Sequence, residues 1–209
     1  MIDNSITQTK ESQSSITPQM AIDMLKDGNK RFVSGNALSR DHAKQVSDTS
    51  TGQFPFGVVL ECIDSRVPAE IVFDQGIGDI FTVRIAGNFA NDDILGSLEF
   101  ACKVAGSKAI VVLGHTSCGA VKGACDKVEL GNLTGMLGKI QPAVDAIADD
   151  GSERSSKNAE FVQKVADKNV DLTVADILSK SDVLREMNDN GEISVVGAMY
   201  DISTGEVRF

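Results

Sequence analysis

Ala109-Ile110-Val111-Val112-Leu113 is an unbroken apolar, largely β-branched run that leads into Gly114-His115-Thr116-Ser117-Cys118. Phe56-Gly57-Val58-Val59-Leu60 leads in the same way into Glu61-Cys62-Ile63-Asp64-Ser65-Arg66. Continuous runs of this kind suit strands covered on both faces, as parallel strands are, whereas a half-solvated strand would alternate apolar and polar residues. Between the two lie a third strand-like run, Ile80-Phe81-Thr82-Val83-Arg84-Ile85-Ala86, and a helical stretch from about Asp92 to Ala105. This alternation predicts an α/β fold, with a central, mostly parallel β-sheet flanked by helices. Ligands in such sheets gather beyond the carboxyl ends of the strands, where both polar clusters fall.

The remainder fills in around that sheet. Residues 1–16 are rich in Ser, Thr and Gln and read as a disordered or arm-like amino-terminal segment, and residues 17–209 as a single α/β domain. Thr17-Pro18 has the form of a helix cap with proline in the first turn, opening an amphipathic helix through Ala21, Met24, Leu25 and Phe32 to near Gly35. Ser34 to Gln53 reads as a polar connection. After Cys118 the pattern predicts helices to about Leu130, from Thr134 to Ile147, from Ser156 to about Lys168 or beyond, and near Leu184. Ile193 to Tyr200 is a closing strand, and the tail from Glu206 to Phe209 can pair back on it as a hairpin. There is no internal repeat.

The chain has only two histidines and four cysteines, so His115 and Cys118 falling together after a strand, with Cys62 after a second, is an economical reading of a metal site. Zinc favours thiolate and imidazole, and an enzyme site usually supplies three protein ligands and keeps one position open for water or substrate. Cys62, His115 and Cys118 make that set. A purely structural zinc would want a fourth Cys or His, and here only Asp64 is at hand. Two thiolates should leave a bound water less acidic than three imidazoles would. Asp64 can accept a proton beside the metal, and Arg66 would keep that carboxylate ionised and aimed. Cys102 sits in a helical apolar pattern and Cys125 follows small residues, so both read as core thiols, and His42, in a polar stretch, reads as solvated.

Cys-x-Asp-x-Arg at 62–66, followed some fifty residues later by His-x-x-Cys at 115–118, resembles the motif pair of the β-class carbonic anhydrases. Val67-Pro68-Ala69-Glu70 after the first half and Gly119-Ala120-Val121 after the second strengthen the likeness, which runs from about Gln53 to Val128. The resemblance implies a zinc enzyme that hydrates carbon dioxide reversibly to bicarbonate and a proton, with zinc on Cys62, His115 and Cys118. It implies that zinc-bound hydroxide is the nucleophile, oriented by the Asp64–Arg66 dyad, and that Asp64 can become a zinc ligand in a closed state. Gln53 and Gly119 match substrate-binding positions. The resemblance further implies a homodimer or homotetramer with the cleft at the subunit interface. Two departures stand out. Ile85 replaces an asparagine common after the third strand, and Phe100 replaces the tyrosine of plant-type members. Without any tryptophan the chain cannot build the usual inhibitory bicarbonate pocket of some bacterial members. A hydrolase of carbon disulfide or carbonyl sulfide, and a non-catalytic zinc or bicarbonate-binding module, are the alternatives.

Composition agrees. At 209 residues and 42% hydrophobic content the chain can bury one good-sized core. A net charge of −10 argues against nucleic acid and anionic membranes as partners. The apolar runs are too short to span a bilayer, and the amino terminus lacks a signal pattern, so a cytoplasmic location is expected. Few cysteines, two of them wanted as thiolates, fit a reducing compartment.

Overall fold

The computed structural model describes residues 4–209. Among them a five-stranded sheet runs through the centre in the order β2-β1-β3-β4-β5, with β1 Gly57–Glu61, β2 Ile80–Arg84, β3 Ala109–His115, β4 Ser194–Tyr200 and β5 Val207–Arg208. The first four strands are parallel, and β5 returns antiparallel on β4, pairing Met199 with Arg208 and Tyr200 with Val207. Every residue of β1 and β3 is buried, as the continuous apolar runs require. Alternation divides their side chains between two cores. Val58, Leu60, Ile110 and Val112 face one side, and Val59, Val111 and Leu113 the other.

The second side is covered by α2 Pro18–Val33, capped by the Thr17 side chain as the sequence predicts, and by the short α4 Ala69–Val72. The first side carries α5 Asp92–Glu99, which widens into a π-helical turn at Phe100–Val104, followed by α6 Gly119–Cys125, α7 Gly131–Leu137, α8 Gln141–Asp145, α9 Ala159–Lys180 and α10 Asp182–Asp189. The long α9 lies directly on β3 and β4 because the sheet offers glycine there. A Cβ at Gly114 would stand 2.6 Å from Val170 Cγ2, and one at Gly197 would stand 2.5 Å from Val170 Cγ1.

Three readings of the sequence are corrected. The polar connection from Ser34 to Gln53 contains a helix, α3 His42–Thr49, capped by Asp41; it buries only Gln45, so no apolar stripe announces it. The single helix expected over Thr134 to Ile147 is two, because Pro142 sits in the first turn of a new helix and cannot continue an old one. The helix expected to reach Leu130 stops at Cys125, with Lys127 left-handed at φ 51°. At the amino terminus, α1 Lys10–Ser15 packs on the body: the buried Gln13 donates through Nε2 to Pro55 O and Ala105 O, both at 2.8 Å. Residues 1–3 of that segment lie outside the described residues.

Asn29 ties the second side together. Its Nδ2 donates to Val72 O at 3.0 Å and Gly205 O at 2.9 Å, and its Oδ1 accepts from Val207 N at 2.8 Å, linking α2, α4 and the carboxyl-terminal hairpin. Asn29→Ala should therefore lower stability by about 2 to 4 kcal/mol, seen as a lower urea midpoint at unchanged slope, because buried partners lose their hydrogen bonds. Asp79 gives a pH signature. Fully buried beneath β2, it accepts from Gly76 N at 2.7 Å, and burial pushes its carboxyl up from 3.8 to about 6. The unfolded chain thus loses this proton first, and stability falls as pH rises from about 4 through about 6. Urea titrations should show Asp79→Asn gaining on the wild type between pH 5 and 8, by about 1 to 3 kcal/mol.

Candidate metal centre

Cys62 follows the last residue of β1, and His115 ends β3. These strands are neighbours, with Glu61 in register with Leu113, so the two ligands emerge side by side at the carboxyl edge of the sheet. Ser117, left-handed at φ 55°, reverses the chain so that Cys118, immediately before α6, faces the same point. The Sγ atoms of Cys62 and Cys118 are 4.0 Å apart, and a ring nitrogen of His115 lies within 4.8 Å of both. All three residues are buried.

The donor chemistry fits zinc. His115 Nδ1 is 2.9 Å from Thr116 O, and since a carbonyl can only accept, Nδ1 carries the hydrogen and Nε2 keeps its lone pair. That Nε2 is buried and has no hydrogen-bond partner, which is costly unless it meets an ion or a donor. The sulfurs are far beyond disulfide length, and all four cysteines are free thiols. Two sulfurs on one tetrahedral zinc at about 2.3 Å each would stand about 3.8 Å apart, close to the separation seen. The pair also polarises itself. The hydrogen bond with Cys118, helped by the Gly87 N–H, pushes the Cys62 thiol down, while Cys118 is pushed up by the same sharing and by burial. One of the two is thus ready to bind as thiolate. Cys102 and Cys125 belong to the core, where burial pushes their thiols up to about 12 and about 11.

Asp64 stands beside this group without belonging to it. Arg66 Nε donates to Oδ1 at 2.9 Å, Nη2 to Oδ2 at 2.7 Å, and the Arg66 backbone N–H to Oδ1 at 3.0 Å. The guanidinium holds the Asp64 carboxyl well below the usual carboxylate range. Its Oδ2 is 3.9 Å from His115 Nε2, so the carboxylate overlooks the ligand atoms while paired with arginine. Gly119, the first residue of α6, is exposed, with open space where a Cβ would stand.

Gln53 is elsewhere in the chain's own geometry. It lies before β1, two residues from Pro55, whose carbonyl is fixed at the amino edge of the sheet by Gln13 and Ser107. Cys62 lies past the other end, so the two are separated by roughly 15 Å at strand rise. Three contributors were not singled out in the sequence as parts of the site. Arg84, at the end of β2, donates through Nε to Cys62 O at 3.1 Å and through Nη2 to Asp64 O at 2.7 Å, bracing the loop that carries the dyad. Glu61 lies beneath it, fully buried, 3.4 Å from Arg84 Nε, its carboxyl pushed up to about 8 by burial. Gly87 donates its N–H to Cys62 Sγ at 3.4 Å. Spacing within the motifs carries no sign of these groups, of which Arg84 comes from the neighbouring strand, Gly87 from the loop after it, and Glu61 from the end of β1 itself.

Comparison with known proteins agrees with this arrangement. A family model described as carbonic anhydrase matches residues 57–207. The chain is 38% identical over 192 residues to carbonic anhydrase 2 of Mycobacterium tuberculosis, covering 90% of each, and 36% identical to the carbonic anhydrase of Mycolicibacterium smegmatis, covering 91% of this chain and 92% of that one. Among solved structures it is similar to the β-carbonic anhydrase CafA of Aspergillus fumigatus, with a TM-score of 0.69 and 26% identity over 87% of this chain and 86% of that one. With the family match spanning the four parallel strands and both halves of the ligand group, the chain belongs to the β-class carbonic anhydrases and is a carbonic anhydrase lyase.

Proposed function

We propose that this protein hydrates carbon dioxide reversibly to bicarbonate and a proton, using zinc held by Cys62, His115 and Cys118. The observation that carries the reading is the meeting of three buried soft and borderline donors, all within 4.8 Å, with an arginine-held carboxylate 3.9 Å from one of them. When bound, zinc supplies Lewis acidity that makes water a nucleophile near neutral pH. Asp64 is the acceptor that aligns this water, and its low proton affinity keeps it an acceptor throughout the working range. Arg66 holds Asp64 by its bidentate pair and keeps it from the metal; released, the carboxylate would become a fourth ligand and close the site. Gly119, exposed and next to Cys118 with open space where a Cβ would stand, would border the bound substrate.

The distance between Gln53 and Cys62 within one chain supports an oligomer, in which Gln53 binds substrate at the site of a second copy. A homodimer or homotetramer meets that need. The exposed edge of β2, with Phe100 52% exposed beside it, offers a surface for such pairing. Free thiols at every cysteine suit a reducing compartment and support a cytoplasmic location, and among the described residues no helix is long and apolar enough to cross a membrane.

Purified protein should hold about one zinc per chain, and Cys118→Ser should lose most of it, since a hydroxyl is a poor substitute for thiolate. Elemental analysis decides this, with Cys102→Ser and Cys125→Ser expected to keep the metal; full occupancy in Cys118→Ser would remove that residue from the ligand set. Stopped-flow measurement with a pH indicator tests the dyad. Asp64→Asn and Arg66→Ala should retain zinc and lose about 100-fold or more in carbon dioxide hydration, and near-wild-type turnover in either would overturn the mechanism.

A further inference from the structure

Asn169 is a buried amide on the face of α9 that Val165, Ala166 and Val170 make apolar, a position where a hydrocarbon would pack as well and where an amide is costly unless bonded. Its Nδ2 donates to Gly87 O at 2.8 Å. Gly87 in turn donates its N–H to Cys62 Sγ at 3.4 Å, so an α9 side chain is joined to a metal-ligating sulfur through a single glycine. The loop is not relaxed on its own. Gly87 and Asn88 are both left-handed, at φ 86° and 43°, and the second is a conformation that an asparagine tolerates at a cost. Gly87 is also covered closely from α6 and the turn before α8: a Cβ there would stand 2.4 Å from Ile140 Cδ1 and 3.4 Å from Ala120 Cβ. Packing confines the glycine, and the peptide unit after it is held on both sides, by Asn169 on the Gly87 carbonyl and by the Asn88 N–H on Ile85 O at 3.0 Å; with that plane pinned, Gly87 has little freedom to turn its own N–H away from the sulfur.

We propose that Asn169 is a positioning residue of the metal centre, holding Gly87 so that its N–H stays on the Cys62 sulfur. This deepens the zinc reading above and rests on it. An N–H on a thiolate draws electron density from the sulfur and fixes the direction of its remaining lone pairs. Removing the clamp leaves a sulfur that is more electron-rich and less well aimed. Groups that orient a metal ligand in this way typically contribute 10- to 100-fold in metal affinity.

The test uses the full-length protein loaded with zinc, cobalt(II) or cadmium-113. In the wild type, a cadmium-113 coupling carried across the hydrogen bond to the Gly87 amide proton is expected; a cadmium-loaded protein without it overturns the proposal whatever any variant does. Asn169→Leu, which keeps volume and loses the donor, should bind zinc about 10- to 100-fold more weakly in chelator competition. It should also move the sulfur-to-cobalt charge-transfer band to longer wavelength. Asn169→Asp should shift the band in the same direction, its carboxylate being unable to donate to Gly87 O. Thr173→Val, one turn along α9 and equally buried, changes packing without touching the link and should leave both readouts unchanged. Folded Asn169 variants with wild-type affinity and band position, or equal effects from Thr173→Val, overturn the proposal. Failure of the wild type to bind zinc or cobalt at all would instead overturn the zinc reading itself.

Discussion

The parallel register between β1 and β3 is the constraint on which the rest depends. Gly57 pairs with Ala109 and Glu61 with Leu113, so the chain leaves β1 at Cys62 beside the last turn of β3 toward His115. Neighbouring strands lie about 4.8 Å apart, which is the scale on which two ligands can share one ion. A slip of β1 by one residue would turn Val58 and Leu60 away from their core and carry Cys62 out of line with His115. The apolar cores on both sides therefore hold the candidate metal site in register, and the stability of the sheet and the geometry of that site are coupled.

Around the ligands, charge is arranged in layers. Asp64 and Arg66 form an exposed pair in which the carboxylate keeps its charge. Arg84 reaches beneath them to the backbone of Cys62 and Asp64, with the buried Glu61 carboxyl 3.4 Å from its Nε. The loop between Cys62 and Arg66 is thus gripped at its carbonyls by a side chain from the adjacent strand. That grip fixes the backbone on which the dyad stands.

The helical layer on the first side contributes by close approach. Gly114 and Gly197 let α9 sit against the sheet, with Val170 filling the space that Cβ atoms would need. That depth of seating brings the next inward residue along the helix, Asn169, within reach of the loop after β2. The two strand glycines seat α9, and Gly87 in the loop after β2 joins its Asn169 to Cys62.

Much of this was legible in the residues alone. The apolar runs at 56–60 and 109–113 and the strand at 80–86 were readable because parallel strands buried on both faces leave a continuous signal, and the ligands stood out because soft donors are few and follow those strands. The helix at His42–Thr49 was hidden because it buries one glutamine, and a helix without an apolar stripe has no periodicity to read. The break at Pro142 is written in the sequence, but the longer apolar pattern across it masks the boundary. Only the tertiary structure could bring Arg84 beneath Cys62 and Asn169 to Gly87, or separate Gln53 from the ligands of its own chain, since those relations join residues 22, 82 and more positions apart through strand register and helix seating. A sequence specifies which side chains can bind a metal; which backbone groups then orient them depends on how elements distant along the chain are packed together.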